Sequence, residues 1–265
     1  MEQPMWQVFI LVCAGLFGLI FGSFFNVCIY RIPRDKSIVW PGSFCPKCNK
    51  PLAWYDNIPV FSYLFLLGKC RQCKAPISIQ YPLVELLTSA LTVLFIWKNG
   101  LTLWSFVLLA AVYALIILSV IDMELMIIPD RFSLGLMVWG LAFAWCNPNF
   151  SGVWWQKELA SLIGAAAGLF GVLAIALIGT WAFKKEAMGG GDVKLMGGIG
   201  ALIGWQGVIT TVVLGSFFGL IYAVYMMIRH GKKGGDAIPF GPFLSLGALV
   251  NFWCLITPGM LVIEF

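Results

Sequence analysis

Three of the twelve acidic residues in this 265-residue chain stand where carboxylates are costly. Glu85, Asp122 and Asp192 lie beside or inside apolar stretches, and an ionisable group at such a place is a functional candidate by default. Asp122 ends the run Leu118-Ser119-Val120-Ile121, and Asp192 follows Gly189-Gly190-Gly191. Two carboxylates brought together titrate as a coupled pair. One can take a proton from water while the other, protonated, donates to a scissile carbonyl. Such a pair needs neither a histidine nor a nucleophilic side chain. Three consecutive glycines leave backbone open to close approach by a substrate chain. Each residue also has a structural reading: Asp122 as a helix-terminus carboxylate paired with Arg131, and Asp192 as a helix N-cap. Asp130, after Pro129 in a polar turn, is a weaker candidate. Glu85 could pair with a base, orient the dyad or touch substrate.

Four of the eight cysteines form two knuckles, Cys45-Pro46-Lys47-Cys48 and Cys70-Arg71-Gln72-Cys73, with 21 residues between them. Two residues between ligands let one tight turn present two thiolates to one ion, and two such turns complete a tetrahedron. Lys47, Lys50, Lys69, Arg71 and Lys74 offset the charge of a tetrathiolate zinc centre. A closed four-ligand site leaves no open position for water, so the zinc is structural. A loop of this size with few core residues needs such a staple. The alternative is disulfides or free thiols; a reducing cytoplasm disfavours the former. Cys13, Cys28, Cys146 and Cys254 read as small buried hydrophobes. The single histidine, His230, sits in a polar loop, and neither a zinc-protease HExxH motif nor a nucleophile–histidine pair is present.

The elements that must position these groups are membrane helices. The chain is 60% hydrophobic and 11% charged, with a mean hydropathy of +0.91, too little charge to cover a soluble surface. Apolar stretches at 6–30, 82–97, 101–121, 132–146, 159–183, 195–205, 207–228 and 240–262 predict an all-α polytopic fold of about eight transmembrane helices. The stretches 132–146 and 195–205 are short enough to be tilted, re-entrant or merged with a neighbour. The expected organisation is a first helix over 1–30, a four-cysteine loop over 31–81 and a helical core over 82–265. The first stretch has no basic residue before it and no cleavage site after it, so it reads as a span rather than a removable signal. No repeat stands out. A net charge of +5 does not suggest nucleic acid as a partner; the basic residues instead sort among the loops. With eight spans and the 31–81 loop inside, 15 of the 17 basic residues are cytoplasmic, leaving Lys98 and Lys157 outside. Both termini are then outside, and both aspartates lie at the cytoplasmic border.

Together these residues resemble the type IV prepilin peptidase family, over nearly the whole chain. The resemblance rests on Phe21-Gly22-Ser23-Phe24-Phe25-Asn26-Val27 with Tyr30-Arg31-Ile32-Pro33, the two cysteine knuckles, and Asp56-Asn57-Ile58-Pro59. Gly68-Lys69-Cys70-Arg71, Tyr81-Pro82-Leu83-Val84-Glu85 and Asp122 with Ile128-Pro129-Asp130 continue it. Gly189-Gly190-Gly191-Asp192-Val193-Lys194 and Ile238-Pro239-Phe240-Gly241-Pro242-Phe243 complete it. The resemblance implies a bacterial inner-membrane enzyme that cleaves a short basic leader from prepilins or pseudopilins at the cytoplasmic face. It implies that the enzyme then N-methylates the new N-terminal residue from S-adenosylmethionine. The family's catalytic aspartates fall on Asp122 and Asp192, the latter in a G-x-G-D motif. The methyl donor's binding residues are not assigned by it. Two other classes remain as alternatives: a transporter or channel using membrane carboxylates, and a zinc-knuckle scaffold without chemistry.

Overall fold

In a computed structural model, residues 5–184, 188–230 and 238–256 are described. Among them every regular element is helical, apart from two isolated β-bridges. Helices α1 (Met5–Arg31), α2 (Phe61–Phe65), α3 (Gln80–Asn99), α4 (Leu103–Leu125) and α5 (Asp130–Ala142) are followed by α6 (Trp154–Ala166). Then come α7 (Val172–Phe183), α8 (Gly190–His230) and α9 (Gly241–Trp253). A π-helical turn, Ala167–Gly171, joins α6 to α7 in one rod. Among the described residues five stretches are long and apolar enough to cross a membrane: Met5–Arg34, Gln80–Asn99, Leu103–Leu125, Trp154–Ala182 and Gly190–Arg229. This is a multi-pass, all-helical membrane protein.

The sequence stretches and the helices differ in instructive ways. The stretch 132–146 becomes the 13-residue α5 and a short 3-10 turn. The stretch 240–262 becomes the 13-residue α9, and its last six residues fall outside the described part. Stretches 195–205 and 207–228 lie in a single 41-residue element, broken at Gly204 with φ 74° and ψ 175°. That backbone conformation is open to glycine alone without strain. A Cβ built on Gly200 would lie 2.9 Å from Val208, whereas residues eight apart in a straight helix are about 12 Å apart. The two halves of α8 therefore fold sharply back on each other at Gly204. Lys185, Lys232 and Lys233, counted among the inside basic residues, lie outside the described residues.

The chain forms two compact units, Met1–Ser105 and Phe106–Phe265. In the first, α3 runs along α1. Gly15, Gly18 and Gly22 recur on one face of α1, and a Cβ on Gly18 or Gly22 would lie 2.6 Å from the Cα of Ser89 or Glu85. Small residues let helices approach this closely where lipid offers no hydrophobic drive. The Ser89 hydroxyl donates to the Gly15 carbonyl at 2.8 Å, and the Asn26 amide donates to the Tyr81 carbonyl at 3.1 Å. Buried Arg31 ends α1 and donates to the carbonyls of Ser37 and Gly42, at 2.9 and 3.0 Å, folding the loop back over the helix end.

In the second unit the first half of α8 is the axis. Gly164 of α6 meets Gly200, Gly168 of the π-turn meets the Met196 carbonyl, and Gly198 meets Ser133 and Leu136 of α5. Asn251 of α9 donates to the Thr211 hydroxyl at 3.0 Å and accepts from Thr210 at 3.1 Å. These bonds fix α9 against the second half of α8, each contributing about 0.6 kcal/mol by the average for membrane helices.

Candidate functional site

The two aspartates arrive from opposite helix ends. Asp122 is in the last turn of α4, and Asp192 is the third residue of α8. Both are buried, with 5% and 8% of their surface exposed. The Asp122 carboxylate is close enough to act electrostatically on Asp192. The structure therefore brings together, within the second unit, two carboxylates 70 residues apart in the sequence.

Each is held by backbone rather than by a basic side chain. Asp122 Oδ2 accepts the Gly241 N–H at 2.9 Å; its described hydrogen-bond partner is this amide and not Arg131. The helix stops just beyond, where the Met126 N–H returns to the Asp122 carbonyl at 2.9 Å with Met126 at φ 54°. Asp192 does not sit at the cap. It stands in the first turn of α8, and its carboxylate reaches back to the Gly189 N–H, half of a capping box. The other oxygen, Oδ1, is buried and has no hydrogen-bond partner. A buried carboxylate oxygen without a partner is costly, which sets this oxygen apart from the bonded one.

Ile128 packs between Gly191 and Gly241. A Cβ on Gly191 would lie 2.9 Å from Ile128 Cβ, and one on Gly241 would lie 3.1 Å from Ile128 Cδ1 and 2.9 Å from Asp122 Oδ2. Gly190 has nothing within 4 Å of a built Cβ. The glycines are thus unequal: Gly191 and Gly241 permit packing, whereas Gly190 presents open backbone. Gly191→Ala and Gly241→Ala should each lower the site's activity about 10–100-fold, as overpacking of about 1–3 kcal/mol displaces the carboxylates. Gly190→Ala should change it far less. Equal losses at Gly190 and Gly191 in a rate comparison at matched expression would overturn this steric account.

Asp130 is not part of the pair. It forms an exposed ion pair with Lys194, with both carboxylate oxygens 2.8 Å from Nζ. Gly241 was not legible as a ligand of Asp122, since it is 119 residues away; the only signal was the Ile238-Pro239-Phe240-Gly241-Pro242 run.

The second cluster lies in the first unit. The Sγ atoms of Cys45, Cys48, Cys70 and Cys73 all lie within 4.8 Å of one another, and those of Cys45 and Cys73 are 3.9 Å apart. Tetrahedral zinc with Zn–S bonds of about 2.3 Å needs sulfurs about 3.8 Å apart, so the cluster could hold such an ion once its sulfurs close around it. The two knuckles are one structure used twice, which the sequence did not announce as a repeat. The Cys45 N–H donates to the Lys50 carbonyl at 3.0 Å, and the Cys70 N–H donates to that of Ala75 at 2.8 Å. Asn49 and Lys74, which follow the second cysteines, share φ values of 55° and 60°. The N–H groups of Cys73 and Gln72 lower the Cys70 thiol to about 7. At Cys73 the Ala75 N–H pulls the same way, but desolvation and the three neighbouring thiols outweigh it and hold the thiol at about 11. Asp56, in the segment between the knuckles, accepts two nitrogens of Arg71 at 2.8 and 2.9 Å, tying that segment to the second knuckle.

Glu85 meets neither a base nor the dyad among its described contacts. It is buried one turn into α3, bonds the Ser23 side chain of α1, and accepts the Val60 N–H at 2.7 Å. Val60 has φ 62° and ψ −51°, costing a β-branched residue about 1–3 kcal/mol. The buried carboxylate is what holds that turn in place.

Residues 16–99 match the sequence model of the bacterial peptidase A24 N-terminal domain, and residues 107–224 that of the type IV leader peptidase family. The gap between them falls where the two compact units divide. A prepilin leader peptidase/N-methyltransferase of Pectobacterium carotovorum is 36% identical, over 89% of this chain and 90% of that protein. Proteins of the same description from Aeromonas salmonicida and Pseudomonas aeruginosa are 34% and 35% identical, over 94% and 92% of this chain and 91% and 90% of theirs. No solved structure matches.

Proposed function

Because this chain belongs to the type IV leader peptidase family, we propose that its buried pair, Asp122 and Asp192, is the peptidase centre. The protein is a prepilin peptidase and N-methyltransferase: it cleaves the leader from prepilins and methylates the amine that cleavage exposes. The observation that supports the catalytic assignment is a buried Asp192, one oxygen of it unpartnered, within the electrostatic reach of a second buried carboxylate, Asp122.

Two buried like charges that feel each other oppose double ionisation, and in this reading the pair shares one proton. The ionised member takes a proton from a water molecule, and the water oxygen attacks the scissile carbonyl. The protonated member donates to the carbonyl oxygen, giving a neutral tetrahedral intermediate. Collapse of that intermediate passes a proton to the departing amine and restores the pair. The Gly241 and Gly189 amides keep each carboxylate in place through the cycle, and open backbone at Gly190 gives the substrate chain room to lie alongside. In the second reaction S-adenosylmethionine is the methyl-donating substrate: the S–CH3 bond breaks, an N–CH3 bond forms, and the amine loses a proton.

The cysteine cluster holds zinc, through Cys45, Cys48, Cys70 and Cys73, and its role is to fold the loop between α1 and α3. The chain crosses the bacterial inner membrane about eight times, with α5, α9 and the two halves of α8 among the crossings. The 31–81 loop and the dyad, within the 82–265 core, face the cytoplasm, where prepilins and pseudopilins present their leaders. Reporter fusions after residues near 60 and 150 should report opposite sides; the same side for both would refute this topology. The function itself is tested by incubating purified protein with a synthetic prepilin and isotopically labelled S-adenosylmethionine. Mass spectrometry should find a trimmed product carrying one labelled methyl on its N-terminus. An intact prepilin would instead favour a carboxylate-lined transporter, read by flux, or a scaffold with no chemistry.

A further inference from the structure

The loop between α1 and α3 carries an apolar surface that neither the zinc site nor the dyad uses. In α2 and the residues after it, Phe61 is 53% exposed, Leu64 60%, Phe65 85% and Leu67 84%. A short extramembrane segment with four large apolar side chains turned outward needs an account.

The position of α2 supplies one. Val60, immediately before it, donates its N–H to Glu85. Glu85 lies five residues inside α3, roughly 7.5 Å along the axis from Gln80. Helical side chains lean back toward the N-terminus, so the bond holds Val60 a little above that depth. The 20 residues of α3 are about 30 Å long, the thickness of the hydrocarbon layer. Val60 is therefore pinned near the boundary between headgroups and acyl chains. At the same level Leu83 and Leu86 of α3 are also half exposed, as side chains facing lipid are.

Charge points the same way. Lys47, Lys50, Lys69 and Lys74 are exposed on the same loop. Of the two acidic residues between α1 and α3, Asp56 is taken up by Arg71. An apolar face at the boundary with lysines on the same loop is the pattern of a segment that lies in the surface of an anionic membrane.

We propose that α2 is an interfacial helix, embedded in the leaflet on the side of the cysteine loop, with Phe61, Leu64, Phe65 and Leu67 among the acyl chains. It anchors the zinc-stapled loop flat on the lipid surface. The Val60–Glu85 bond sets its depth.

A photo-crosslinking amino acid, p-benzoylphenylalanine, tests this when placed at Phe65 or at Leu67 of the full chain in vesicles of phosphatidylethanolamine and phosphatidylglycerol. Lys47 serves as the control position. After irradiation, mass spectrometry should find lipid adducts several-fold more abundant at 65 and 67 than at 47. Adducts to residues 106–265 of the same chain would show that the face is covered by protein, and would overturn the proposal. Adducts to a synthetic prepilin in place of lipid, or lipid yields no higher than at Lys47, would overturn it as well.

Discussion

Asp122→Asn and Asp192→Asn should each lower prepilin cleavage by about 10²–10⁴-fold, the contribution of one positioned acid or base, while the protein remains inserted and folded. Asparagine preserves shape and volume but neither takes nor carries the shuttled proton. At Asp192 it can still accept the Gly189 N–H, so the capping function survives and only the chemistry is removed. At Asp122 an amide oxygen can still accept from Gly241. The pair of substitutions therefore separates catalysis from scaffolding at both positions. Asp→Glu should fail as well, because one added methylene moves the carboxyl by more than the roughly 0.5 Å that a preorganised site tolerates. Asp130→Asn should be mild, since it breaks only an exposed ion pair with Lys194, worth about 0–1 kcal/mol. Methylation of a pre-cleaved pilin should persist in the dyad variants. Processing assays at matched expression decide it: near-normal cleavage by either Asp→Asn variant would end the assignment.

The second large effect concerns the metal. The folded, reduced protein should carry about one zinc per chain, and Cys70→Ser should release it. Three thiolates then surround a site built for four, and a structural zinc that contributes about 10–16 kcal/mol in apparent terms is lost with the fold it supports. The loop between α1 and α3 should become sensitive to added protease. Cleavage of prepilin should survive in part, because both aspartates lie in the other compact unit. Zinc affinity should also fall as pH falls. The ion binds thiolates, and protons compete for them. Cys70, held near 7, is thiolate-ready around neutrality, whereas Cys73, held near 11, must lose its proton to solvent as the ion binds. Metal analysis that finds no zinc in reduced, folded protein, or full zinc retention by the Cys70→Ser protein, would refute this.

The patterns legible in the sequence were the ones made by neighbours. A Cys-x-x-Cys knuckle is one turn of chain, so its spacing states its geometry, and the four sulfurs were found where the spacing put them. Apolar stretches announce helices because lipid leaves no other way to satisfy the backbone. Asp122 and Asp192 stood out because a charge at the end of such a stretch is rare and costly. Several separate motifs in the right order pointed to the family.

What only the tertiary structure decided depends on backbones that approach across long stretches of chain. Gly204 reads like any other glycine until its positive φ folds α8 into two antiparallel halves. α3, which follows the loop in sequence, packs along α1 because Gly15, Gly18 and Gly22 leave its backbone room, and no local pattern in α3 reveals that. The Gly241 amide on Asp122, Ile128 between two glycines, and Glu85 under the strained Val60 are all pairings of a side chain with a distant main chain. Main-chain N–H groups are the same at every residue but proline, so a sequence shows which side chains can accept a hydrogen bond and not which amide will come to them.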